Sequence, residues 1–61
     1  MNRTIKEVLM DRDNMSAQEA DNLIKRAEQD LLERLAEGEM PFDICAEWFG
    51  LEEDYVYELL R

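Results

Sequence analysis

Sixteen carboxylates, seven cationic side chains, one thiol and no imidazole are the groups in this sequence that could do chemistry. Without histidine, acid–base work would fall to paired carboxylates, and nothing stands ready to activate a nucleophile. Cys45 lies among Ile44, Trp48 and Phe49 at helical spacing, so its position is that of a small buried hydrophobe and not of a reactive thiolate. Asp11-Arg12-Asp13-Asn14 begins like a calcium loop, but Met15 takes the next ligand place, no glycine follows and no glutamate closes it. Glu52, Glu53 and Asp54 are adjacent, and adjacent helical side chains diverge, so they make no metal site. A chain of 61 residues also has little room for a substrate pocket. The residues therefore predict a protein that is not an enzyme and takes no cofactor or metal. What remains is electrostatic: Glu47, Glu52, Glu53, Asp54 and Glu58, with Tyr57 among them, form a candidate face for a partner of opposite charge.

The composition agrees with a single folded domain spanning residues 1–61. Hydrophobic residues make up 46% of the chain, too many for a disordered acidic tail, and charged residues 38%. No apolar run is long enough for a transmembrane span or a signal-peptide core. A lone cysteine makes no internal disulfide, which points to a reducing, cytoplasmic setting. The net charge of −9 is unevenly distributed. Residues 1–15 are neutral, residues 16–37 carry −3 and residues 38–61 carry −6.

Helix signals follow one another along the chain, and no segment alternates like a strand. Thr4 and Glu7 form a capping box that opens a helix over 5–12, with Ile5, Val8 and Leu9 on its apolar side. Asn14 suits the left-handed position after it. Ser16 and Glu19 form a second box, with Met15 placed to staple onto Ala20. Leu23, Ile24, Ala27, Leu31 and Leu35 then recur at threes and fours, predicting a long helix over 17–37 that Gly38 and Pro41 terminate. Asp21–Lys25 and Asp30–Arg34 are acid-before-base pairs four apart. Pro41 fits a first helical turn, so a third helix is expected over 41–49, ended by Gly50. A fourth follows over 53–60, with Glu53 and Asp54 favoured at its start. The expected fold is an all-α bundle: a short helix, a long central helix and a helix-turn-helix-like pair. Its expected core is Ile5, Val8, Leu9, Leu23, Ile24, Ala27, Leu31, Leu35, Ile44, Cys45, Trp48, Phe49, Leu51, Val56 and Leu59.

The pair suggests a DNA-binding regulator, since Ala46 four residues before Gly50 is the spacing at which two such helices touch. Charge argues against it. Its second helix would present Glu52, Glu53 and Asp54 to phosphates, with Arg61 the single base in that half. Phosphate contacts would have to come from dimerisation with a basic partner or from an N-terminal arm using Arg3 and Lys6. The opposite reading is an acidic surface that imitates nucleic acid and occupies a protein's basic groove; its bland counterpart is charge that merely confers solubility. Asp54, Tyr57, Glu58 and Arg61 would share the outward face of the last helix, opposite Val56 and Leu59. Met10, Leu32, Met40, Tyr57 and Leu60 lie off the core stripes, an apolar surplus that suits a partner or a second copy in a homodimer.

Lys6-Glu7-Val8-Leu9-Met10-Asp11-Arg12-Asp13, Met15-Ser16 with Glu19-Ala20-Asp21, and Phe49-Gly50-Leu51-Glu52 with Asp54-Tyr55-Val56 together resemble small acidic proteins of bacteriophages and prophages. The likeness covers nearly the whole chain. It implies a mobile-element setting in a bacterial cell and, by analogy of origin and charge, an inhibitor of host defence or of a nucleic-acid-binding protein. It assigns no residue a role. In such proteins a glycine often stands where this chain has Asn14.

Overall fold

The computed structural model describes residues 3–60, and these are all-α: helices and turns, with no strand among them. Four helices follow in order, α1 (Ile5–Arg12), α2 (Ala17–Ala36), α3 (Ile44–Phe49) and α4 (Val56–Leu59), with a 3₁₀ turn at Glu53–Tyr55 leading into α4. Helix α2 sets the length of the molecule. Its 20 residues rise about 30 Å at ~1.5 Å each, against a long dimension of 34 Å. The other elements lie on it.

Both capping boxes form. Thr4 Oγ1 accepts from the Glu7 amide at 3.1 Å and Glu7 Oε1 from the Thr4 amide at 2.9 Å. Ser16 and Glu19 reproduce the arrangement at 3.1 and 3.0 Å. Asn14 has φ 55°, the left-handed turn expected between α1 and α2. Helix α2 ends one residue earlier than predicted, at Ala36. Gly38 (φ 88°) turns the chain there, and the Glu39 amide returns to the Arg34 carbonyl at 2.9 Å, as a left-handed helix end requires.

Two elements and one contact residue depart from expectation. Helix α3 starts at Ile44, not at Pro41. Pro41 is instead buried in a tight turn whose amides are satisfied locally, Phe42 to the Met40 carbonyl and Ile44 to the Pro41 carbonyl. The last helix is regular α only from Val56. Before it, the Tyr55 amide reaches back three residues to Glu52 at 3.1 Å, a tighter winding common at helix ends. Ala46, expected where α3 and the last helix touch, is exposed, and Cys45 is the small residue turned inward. Gly50 does make the predicted turn, at φ 66°.

Ten of the expected core residues are buried: Ile5, Val8, Leu9, Ala27, Leu31, Ile44, Cys45, Phe49, Val56 and Leu59. Ala20 and Tyr55 join them. Leu23, Ile24, Leu35, Trp48 and Leu51 are only half-buried, packed on the rim. The reason is size. Three short helices cannot cover the full width of a long apolar stripe, and a small chain buries a smaller share of its surface.

Two hydrogen bonds span the chain. Glu58 Oε2 accepts from the Ile5 amide at 2.8 Å, 53 positions away in sequence. Ile5 opens α1, so this amide has no partner within its own helix. At the other end of α1, Arg12 donates to the Phe49 carbonyl at 2.6 Å, where α3 ends. The C-terminal half is thus fastened to both ends of α1. Replacing Glu58 with Ala should lower stability by about 1.5–3 kcal/mol, as for a hydrogen bond with one charged partner. Glu58→Gln, which keeps an oxygen acceptor, should cost less. Urea denaturation of the three proteins checks this, and equal midpoints would refute it.

Candidate functional site

The acidic face is carried on the turn before α3, on α3 itself and on the last two turns. Between residues 38 and 60 there are seven carboxylates and no base. They do not act alike. Glu47, on α3, faces Arg34 of α2 at 3.3 Å, and Arg34 also holds Asp30 at 3.2 Å. Glu58 is turned inward onto the Ile5 amide and is half-buried. Glu39, Asp43, Glu52, Glu53 and Asp54 are exposed and have no ion-pair partner among the described residues. Of the six residues expected on a partner face, Glu52, Glu53, Asp54 and Tyr57 are therefore open to solvent, Glu47 is exposed but engaged with Arg34, and Glu58 is turned into the fold. Arg61, expected to share that face, lies outside the described residues.

Glu53, Asp54 and Tyr57 also line a shallow recess of about 180 Å³, whose remaining wall is Phe42. Phe42 is 46% exposed and Tyr57 63%. Phe42 is not among the residues the sequence placed on a partner face. Phase gave no signal, because Phe42 stands seven residues before the inward Phe49 and would share its face in a helix opened at Pro41. The five residues of the expected apolar surplus, Met10, Leu32, Met40, Tyr57 and Leu60, are all exposed, and Phe42 adds a sixth. A second recess of about 360 Å³ lies against Met15, Glu19, Asn22, Leu23 and Arg26 on α2.

The basic side chains are mostly engaged within the molecule. Arg3 pairs with Asp11 at 2.8 Å, Lys6 with Asp21 at 3.2 Å and Arg12 with Asp13 at 2.8 Å. The predicted Asp30–Arg34 pair forms, but Asp21 turns to Lys6 and not to Lys25. Packing of α1 against α2 brings Lys6 within reach of it as a tertiary partner. Asp11 and Asp13 thus each face a guanidinium, and among the described residues no three carboxylate or thiol groups converge to hold a metal ion. None of the helices is long and apolar enough to cross a membrane, among the described residues.

Asp30 and Cys45 are among the groups whose protonation these contacts set. The Trp48 indole donates to Asp30 Oδ2 at 2.9 Å. That hydrogen bond, with the nearby Arg34 charge, holds the Asp30 carboxyl below its ordinary value of 3.8. Cys45 is fully buried, and burial, reinforced by the Glu58 charge, pushes its thiol up to about 11. It is no nucleophile at neutral pH. A comparison of the chain with known protein families, curated proteins and solved structures finds no match.

Two outcomes follow from these contacts. Because the Asp30 carboxyl is lowered on folding, its stabilisation is present above pH 3.8 and is lost as pH falls through the lower folded value. Emission from Trp48, the one tryptophan, should change over that acid range and stay flat in Asp30→Asn. A titration unchanged by that substitution would contradict the link. Cys45 should resist a thiol reagent at pH 8 and become labelled only as urea opens the fold. Rapid labelling of the native protein would show the thiol to be accessible.

Proposed function

We propose that this protein acts by binding another protein through the acidic face of its C-terminal half, with no chemistry of its own. The observation that carries the reading is the unequal use of charge. Arg3, Lys6, Arg12 and Arg34 are paired with carboxylates of the same molecule and Lys25 and Arg26 lie on α2, while between residues 38 and 60 Glu39, Asp43, Glu52, Glu53 and Asp54 stand in water without ionic partners among the described residues. A one-signed field on a rigid support attracts a basic surface and speeds encounter. The partner this fits is a nucleic-acid-binding or defence protein of the host, whose basic groove the carboxylates would occupy. The resemblance to phage proteins supplies the setting, the cytoplasm of a bacterial cell.

A helix-turn-helix regulator fits less well. Arg3 and Lys6, the bases an N-terminal arm would offer to phosphates, already pair with Asp11 and Asp21. The exposed apolar residues favour a second reading, an accessory protein that pairs with a copy of itself. Repulsion between two chains of charge −9 opposes it.

The test keeps Glu58, which the fold needs, and neutralises the free carboxylates: Glu52→Gln, Glu53→Gln and Asp54→Asn together. Captured from host extract and then purified, the partner should be basic. It should bind the parent more tightly at low salt than at about 0.15 M, where exposed charges are screened beyond ~8 Å. The triple variant should bind it more than about tenfold more weakly, ~1.4 kcal/mol or beyond. Equal binding at equal salt would make the face a solubilising surface. Duplex DNA shifted by the protein alone in low salt would favour the regulator, and a dimer by sedimentation at micromolar concentration the accessory role.

A further inference from the structure

Acidic residues alone account for solubility, and they give no reason for two aromatic rings to be left in water beside them. Phe42 and Tyr57 stand on opposite elements, the turn before α3 and the last helix, yet they line one recess together with Glu53 and Asp54. The other aromatic side chains are withdrawn: Phe49 and Tyr55 are buried, and Trp48 is half-buried with its indole bonded to Asp30. The recess, at about 180 Å³, is below the ~300–1,000 Å³ of clefts that enclose small-molecule ligands. It is on the scale of one inserted side chain.

We propose that this recess receives an arginine side chain from the partner protein. The inference rests on the acidic-face reading and names what that face grips. A guanidinium is planar and weakly hydrated, stacks on aromatic faces and carries five N–H donors. Phe42 and Tyr57, which line the recess, are the rings on which its plane would stack. Glu53 and Asp54, which have no ion-pair partner among the described residues, offer acceptors to its edge. A lysine ammonium would meet the same carboxylates but keeps its hydration more tightly and has no plane to stack, so the recess should prefer arginine. A second copy of this chain is a poor occupant, because it would bring its own acidic half against this one.

The experiment is an NMR titration of the labelled full chain with a short acetylated peptide holding one arginine among glycines and serines. Its lysine and citrulline counterparts serve as controls. The arginine peptide should shift the amides of Phe42, Glu53, Asp54 and Tyr57, binding several-fold more tightly than the lysine peptide and at least about tenfold more tightly than citrulline. Phe42→Ala with Tyr57→Ala alters two exposed side chains and should leave the remaining spectrum in place. It should bring arginine binding down to the lysine level. Glu53→Gln with Asp54→Asn should abolish binding of both. If arginine and lysine bind alike and the aromatic variant binds as the parent does, the arginine recess is refuted while the acidic-face reading stands. If no cationic peptide binds even at low salt, both fail. Shifts at the recess that depend on protein concentration alone would assign it to a second copy and overturn the proposal.

Discussion

A helix of four to eight residues does not persist alone in water, and three of the four helices here are that short. Everything else in the structure depends on laying them against α2, the one element with enough length and apolar width to support neighbours. Burial supplies the larger part: Ile5, Leu9, Leu31, Ile44, Cys45 and Val56 are essentially withdrawn from water. Burial has no direction, however, and short helices have many unpaired groups at their ends. Orientation comes from answering those ends, locally by Thr4 and Ser16 and across the chain by Glu58 and Arg12.

The same fastening sorts the charges. Arg12 and Arg34 are drawn to the contacts between elements, where Arg12 meets the end of α3 and Arg34 joins Asp30 to Glu47. Exposed pairs of this kind add little stability, but they hold the cations against carboxylates and carbonyls of the same molecule. Of the carboxylates left over, Glu28, Glu33 and Glu37 follow α2, and Glu39, Asp43, Glu52, Glu53 and Asp54 gather on the turn before α3 and on the segment after Gly50. A small domain that assembles in this way presents a negative face without any element devoted to making one. Phe42 and Tyr57 give that face its shape, because the turn at Pro41 and the tight winding at Glu53–Tyr55 bring them to the same recess.

Sequence alone determined the helices wherever the signal was local. The Thr4 and Ser16 boxes, the left-handed turns at Asn14 and Gly50, and the repeat of threes and fours along α2 are all written within a few residues of where they act. The all-α class, the charge gradient and five exposed apolar residues were legible for the same reason. Tertiary structure decided what depends on residues far apart. Pro41 could have opened a helix but is buried in a turn, and Asp21 could have paired with Lys25 but meets Lys6. Glu58 has the spacing of an outward residue, yet it caps α1, because nothing near it in sequence discloses an amide 53 positions away. The candidate site divided along the same line. Its carboxylates could be counted from the sequence, but whether each is bonded within the fold or open to a partner is set by packing. Only the folded chain brings Phe42 beside Tyr57.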